Sequence, residues 1–154
     1  EIIRPRGLRH TGFYRMDQLP ANTALGYTGD PEAGLQRTNI FSLPVIGGSD
    51  GGLFTCAQDL DTLWRSLFAG KLLSEHMLQG FLKPQVTYAE GKSYGLGVYR
   101  DDKNGETAFY AVGGDFGVAF FTVYFPKYPL TASALCNTED DIHLLDALLA
   151  DGLK

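Results

Sequence analysis

The chain has 154 residues, 44% of them hydrophobic, which is enough apolar surface for the core of one domain. A net charge of −5 and a pI near 5.1 offer no basic face to nucleic acid. No apolar run approaches the roughly 18 residues that a membrane span requires.

Residues 1–54 are punctuated by glycine and proline, among them Gly12, Pro20, Gly26, Pro31 and Pro44, and leave no room for a long helix. So long an irregular stretch is unusual in a compact domain and suits a segment wrapped over a partner or over another part of the same protein. The opening Glu1-Ile2-Ile3-Arg4-Pro5 lacks a Met and reads as the tail of a helix cut open, so a fragment or processed piece is expected.

Helix signals follow. Thr55 and Gln58 have capping-box spacing, and Leu60, Leu63, Trp64, Leu67 and Phe68 recur at intervals of three and four to form one apolar face before Gly70. Ser74 caps a second helix that presents Met77, Leu78, Phe81 and Leu82 and stops before Pro84. His76, in that helix, is expected in a solvated or capping role rather than as a ligand.

From Ser93 the period becomes two. Tyr94–Tyr99 reads as a strand, Asn104-Gly105 as a turn, and Thr107–Val112, Val118–Phe125 and Leu130–Cys136 as three further strands. Asn137 or Thr138 then caps a last helix, with Glu139, Asp140 and Asp141 in its first turn and Ile142, Leu145, Leu148 and Leu149 as its apolar stripe. The order predicts an α+β fold, an antiparallel sheet of about four strands with helices packed on it. It is expected as a single partial domain over 1–154: loops over 1–54, two helices over 55–84, strands over 93–136 and a helix over 138–152. Four strands and one covering helix leave sheet edges that call for neighbours, supplied by sequence beyond this chain or by self-association.

The stretch Tyr110-Ala111-Val112-Gly113-Gly114-Asp115-Phe116-Gly117-Val118 joins two of those strands through a glycine-rich corner with one acid. It fits a plain hairpin turn, which spacing alone favours, and it also fits a strand end whose exposed N–H groups hold a carbonyl or oxyanion. Gly47-Gly48-Ser49-Asp50-Gly51 matches G-x-S-x-G, but a nucleophile elbow needs a buried strand before the serine and a helix directly after it. Here the next helix starts only near Thr55, so a turn is the better reading, and His143 is expected on the surface or in helix packing. The paired acids Asp59/Asp61, Asp101/Asp102 and Glu139/Asp140/Asp141 each lie where a helix start or a hairpin turn accounts for them. Cys56 and Cys136 lack metal-site spacing; a disulfide and two buried free thiols both fit, the thiols better. No metal or cofactor is expected.

Five segments, in order, resemble the C-terminal half of the serine β-lactamase-related family, which includes class C β-lactamases and penicillin-binding proteins. Arg4-Pro5-Arg6-Gly7-Leu8-Arg9-His10-Thr11-Gly12-Phe13 is similar to the family's PLGM-x-x-TGF segment. Gly51-Gly52-Leu53-Phe54-Thr55-Cys56-Ala57-Gln58-Asp59-Leu60 resembles its entry GGL-x-S-T-A-x-D-L. Leu72-Leu73-Ser74 with Pro84, Tyr94-Gly95-Leu96-Gly97, and Asn137-Thr138 match the remaining three. The resemblance implies the C-terminal part of a β-lactamase/transpeptidase-like fold and hydrolysis of a β-lactam, ester or peptide amide, with a small-molecule acyl substrate.

By that resemblance, Ala111 and Val112 stand where the family carries Lys-Thr or His-x. Gly113 keeps the family's glycine, Gly114 takes the place of an oxyanion-hole N–H, and Asp115 lies beside it. Ala111 supplies no positive or hydrogen-bonding group and Asp115 would repel a carboxylate, which shifts the expectation toward esters or amides, or toward a noncatalytic binding module that keeps the fold. The family's Ser-x-x-Lys and Tyr-x-Asn are absent: no serine here has lysine three residues on, and no tyrosine has asparagine two on. The resemblance places both motifs before Arg4, so the chain by itself is expected to be inactive. Members of the family are often exported.

Overall fold

The computed structural model describes residues 2–30, 32–103 and 105–138. Two short helices, α1 (Ala57–Phe68) and α2 (Glu75–Leu82), precede a six-stranded antiparallel sheet. Its strands are β3 (Val86–Ala89), β4 (Lys92–Tyr94), β5 (Tyr99–Lys103), β6 (Glu106–Asp115), β7 (Val118–Phe125) and β8 (Leu130–Cys136), lying side by side in chain order. A separate two-stranded sheet pairs β1 (Tyr27–Thr28) with β2 (Arg37–Thr38). The class is α+β, as the sequence predicts. The helix expected over 138–152, with His143, lies outside the described residues except for Thr138.

The sheet differs from the expected four strands in two ways. Two strands are added at one side, β3 and β4, joined across Gly91 with a register shift between Thr87 and Ala89. Every residue of β3 is exposed, so the strand shows none of the apolar–polar alternation that marks a half-buried strand. The second difference is at Tyr94–Tyr99, which is not one strand. The chain reverses through Gly95-Leu96-Gly97, where the Gly95 N–H donates to the Val98 carbonyl and the Leu96 N–H to the Phe81 carbonyl at the end of α2. The alternating residues there are the two sides of a turn.

The chain divides into two compact units. The first comprises Glu1–Arg9, Ala57–Ala111 and Thr122–Ser133. Its core gathers Trp64 and Leu67 from α1, Phe109 from β6, Tyr124 from β7 and Val98, with Phe68, Leu78 and Phe81 packed around them. Trp64 stacks on Tyr124 with centroids 6.0 Å apart, and its indole N–H donates to the Thr122 hydroxyl at 3.0 Å, so the one polar atom of the ring is satisfied where it is buried. α1 ends as its sequence predicts: the Lys71 N–H reaches the Ser66 carbonyl and Gly70 N–H the Leu67 carbonyl, with Gly70 left-handed. Its start is one step off the capping-box reading, at Ala57, and the Thr55 hydroxyl is shared with that of Thr11 at 2.9 Å. Ser74 caps α2, accepting from the Met77 N–H, while Met77 itself is exposed rather than part of the buried face. On the sheet, Tyr94, Tyr99 and Tyr110 stand in register across β4, β5 and β6, and the Tyr88 hydroxyl meets that of Tyr110 at 2.6 Å.

The second unit comprises His10–Cys56, Val112–Phe121 and Ala134–Lys154. Its loops are not free. Gly12 and Phe54 exchange both backbone bonds at 3.0 Å, and the Met16 N–H donates to the Val45 carbonyl at 2.8 Å. Ladder-like bonds thus organise the segment that glycine and proline keep out of regular structure. Cys56 and Cys136 are free thiols, both half-buried. Among the described residues no helix is long and apolar enough to cross a membrane.

Candidate active-site wall

The five predicted site residues, Ala111 to Asp115, lie together on the last half of β6. Gly113 and Gly114 are strand residues, not the corner itself. The turn is two residues long, Phe116-Gly117, with Gly117 in the left-handed region at φ +71°. Asp115 has a local task there: its Oδ1 accepts the Phe116 N–H at 2.8 Å and closes the turn.

Strand parity sets which way the backbone groups point. The Asp102 N–H donates to the Gly91 carbonyl, away from β6, so Lys103, Asp101 and Tyr99 turn theirs toward it, and the ladder bonds toward β5 come from their partners Glu106, Ala108 and Tyr110. The same alternation turns the N–H and C=O of Val112 and Gly114 to that side. β5, however, begins only at Tyr99, opposite Tyr110. Gly114, which is exposed, therefore directs its N–H along an edge that β5 does not cover. The β6–β7 turn agrees, since a two-residue connection pairs Asp115 with Val118 and directs the odd-numbered residues to β7. By the same parity Ala111 and Gly113 share the sheet face of Phe109, while Val112 and Gly114 share that of Tyr110.

The turn is held by a residue that the sequence does not single out. Asn39 is 1% exposed, and its side-chain N–H donates to the Phe116 carbonyl at 2.9 Å across 77 positions of sequence. A Cβ on Gly26 would fall 2.2 Å from the Asn39 amide nitrogen and 2.6 Å from the Gly117 carbonyl oxygen. A Cβ on Gly117 would fall 2.8 Å from the Tyr27 nitrogen. Gly26 and Gly117 are thus the residues that let two backbones and an amide meet. Nothing in Thr38-Asn39-Ile40 signals this; only the partner 77 positions away gives the asparagine its meaning.

The other candidates have structural occupations. Ser49 and Asp50 are the exposed tip of a turn in which Gly48 and Gly51 exchange backbone bonds, six residues and more before α1, and no elbow geometry is present. His76 is exposed. Asp61 receives Arg65 one helical turn on at 2.9 Å, and Asp101 faces Lys92 at 3.6 Å. Arg100 donates to both oxygens of Asp102 and holds that carboxyl below its ordinary value, opposed by burial and aided by the Thr107 hydroxyl. Among the described residues no cluster of three or more His, Cys, Asp or Glu forms a metal site.

The family model described as Beta-lactamase matches residues 1–151. A penicillin-binding protein from Bacillus halodurans superposes with a TM-score of 0.88 at 35% identity, over 97% of this chain and 47% of that one. An octameric penicillin-binding protein homologue from Pyrococcus abyssi gives 0.79 at 20% identity, over 97% of this chain and 36% of that one. A D-stereospecific amidohydrolase from Streptomyces sp. gives 0.71 at 20% identity, over 95% and 45%. The chain thus spans less than half the length of each of these three proteins. With a β-lactamase model matched over nearly its whole length and a β-lactamase/transpeptidase-like fold, this chain belongs to the β-lactamase-like serine hydrolase family.

Proposed function

We propose that the chain is the C-terminal portion of a serine hydrolase acting on an ester, amide or β-lactam, and that it supplies one wall of the active site. The observation that supports this most is the direction of the Gly114 N–H, along an edge that β5 does not cover, in a member of this family. A donor fixed there stabilises the oxyanion that develops as an acyl group is attacked, and it does so with backbone alone. The serine nucleophile and its activating lysine belong to sequence outside the chain, in keeping with the share of the related structures it spans and with the absence of Ser-x-x-Lys. Ala111 and Val112 give the wall no cationic or hydroxyl group, and Asp115 adds negative charge, so acyl substrates without a carboxylate next to the scissile bond suit it better than a β-lactam.

A fluorescent fluorophosphonate tests the reading. The 154-residue chain should remain unlabelled, and the protein made from the complete coding sequence should be labelled at one serine before Arg4. Stoichiometric labelling of the short chain would overturn the proposal.

The second reading, a binding module that keeps the fold without the chemistry, draws its support from Ala111 and Val112. Coding sequence upstream with Ser-x-x-Lys and Tyr-x-Asn favours the enzyme, and its lack favours the module. Self-association through the outer edges of β3 or β8 is the partner expectation under either reading; light scattering showing a strict monomer removes it.

A further inference from the structure

We infer that Asn39 is a positioning residue for the Gly114 donor, an inference that rests on the functional reading just given. A hairpin tip beyond the end of its neighbouring strand is free to swing, because one ladder alone restrains it. Ala111 to Asp115 are in that situation on the β5 side. The local devices of the turn, the left-handed Gly117 and the Asp115 carboxylate on the Phe116 N–H, shape the tip. Asn39 ties it.

The tie is firm because Asn39 is itself held at three points. Its N–H donates to the Gly26 carbonyl at 2.9 Å, its carbonyl accepts the Ser42 N–H at 2.8 Å, and its side chain donates to Phe116. The segment Leu25–Tyr27, which packs against Gly117, is anchored in turn by Asn137. The Asn137 side-chain amide donates to the Leu25 carbonyl at 3.1 Å, and the Asn137 main-chain carbonyl accepts the Tyr27 N–H at 3.0 Å. The end of β8, the loop before β1 and the β6–β7 turn thus form one hydrogen-bonded assembly, with Asn39 as the buried link to the turn. The amide is buried at a cost, since its nitrogen is bonded to Phe116 while its Oδ1 has no hydrogen-bond partner among the described residues, and the hairpin needs no such link to close. Its effect is on the tip: Phe116 lies two residues from Gly114, and an oxyanion donor works only when held within a few tenths of an ångström of its position.

Two arms test this. On the 154-residue chain, Asn39→Ser should raise amide hydrogen exchange at Phe116–Val118 at least tenfold, while Leu63–Phe68 in α1 stay within twofold of wild type. Exchange at the turn within twofold of wild type would overturn the clamp. If that variant does not fold, Asn39→Asp keeps the shape and turns a carboxylate oxygen toward the Phe116 carbonyl. The wild-type chain also decides by itself: the Asn39 side-chain amide protons should exchange far more slowly than those of exposed Asn22, and equal rates would overturn the clamp. In the protein from the complete coding sequence, Asn39→Ser should lower kcat on a chromogenic ester about tenfold with KM within twofold. An unchanged kcat overturns the positioning role, as does a loss that only tracks the unfolded fraction. Failure of the functional reading looks different: the wild-type complete protein then hydrolyses no ester although the turn still loosens in the variant.

Discussion

The two units of the chain are built on different principles. The first is held by area: Trp64, Leu67, Phe109 and Tyr124 bury large faces against one another, and capped helices lie over ladder-bonded strands. The second is held by single polar links and close backbone approaches, such as Asn39 to Phe116, Asn137 to Leu25, Thr11 to Thr55, and the Gly26–Gly117 passage. A core held by area tolerates small changes anywhere and fails when a large ring is removed. A structure of links is indifferent to most substitutions and fails at particular atoms. The candidate donor Gly114 sits in the second kind, where geometry is set by few contacts.

That contrast is broken most directly at Trp64. Trp64→Ala removes the centre of the first core and should cost about 3–5 kcal/mol in urea unfolding. Loss below about 1 kcal/mol would mean that the first unit does not depend on its aromatic core. In the second unit, Gly26→Ala forces a Cβ onto the Asn39 amide and the Gly117 carbonyl and should cost about 1–3 kcal/mol, as overpacking does. Because Trp64, the one tryptophan, is in the core of the first unit, its fluorescence reports on that core, and Gly26→Ala should leave the native emission maximum unmoved. Ser74→Ala, which removes a cap with a bond of 3.4 Å, should cost less, about 0.5–1 kcal/mol.

The smallest effect is one of pH. Lys127, aided by Tyr128, donates to Glu106 and holds that carboxyl below its ordinary value, against a small opposing effect of burial. A depressed carboxyl stabilises the fold at pH values above its unfolded value and loses that contribution as pH falls through the lower, folded value. Stability should therefore decline on acidification below about pH 4.5, and Glu106→Gln should make that decline shallower, as followed by thermal melts across pH 2–7. An identical acid limb in the variant would show that the surface pair contributes nothing.

The same contrast explains what could be read from the sequence. α1 and α2 were legible because apolar residues recur at intervals of three and four between a cap and a stop, and β6, β7 and β8 because β-branched and aromatic residues crowd stretches bounded by turn residues. β3 escaped because it is exposed along its whole length, and Gly95-Leu96-Gly97 misled because a turn between tyrosines alternates just as a strand does. The resemblance on five motifs identified the family, since those motifs include the glycines that the loops require. The wall was legible as residues, Ala111 to Asp115, but not as geometry. That Gly113 and Gly114 are strand residues, that the turn is Phe116-Gly117, and that β5 begins only at Tyr99 all follow from register, which single residues do not state. Asn39 was illegible for the reason that makes it effective: it is one amide whose partner is 77 positions away.

The central claim is that the Gly114 N–H, and no side chain of the wall, does the chemical work. Gly114→Pro removes that N–H at a position facing away from β7, where proline spares the ladder, while Asp115→Asn alters only a neighbouring charge. In the protein from the complete coding sequence, with a chromogenic ester, the account predicts that Gly114→Pro lowers kcat about 100-fold or more and Asp115→Asn less than fivefold. Equal effects of the two substitutions in folded proteins would contradict it.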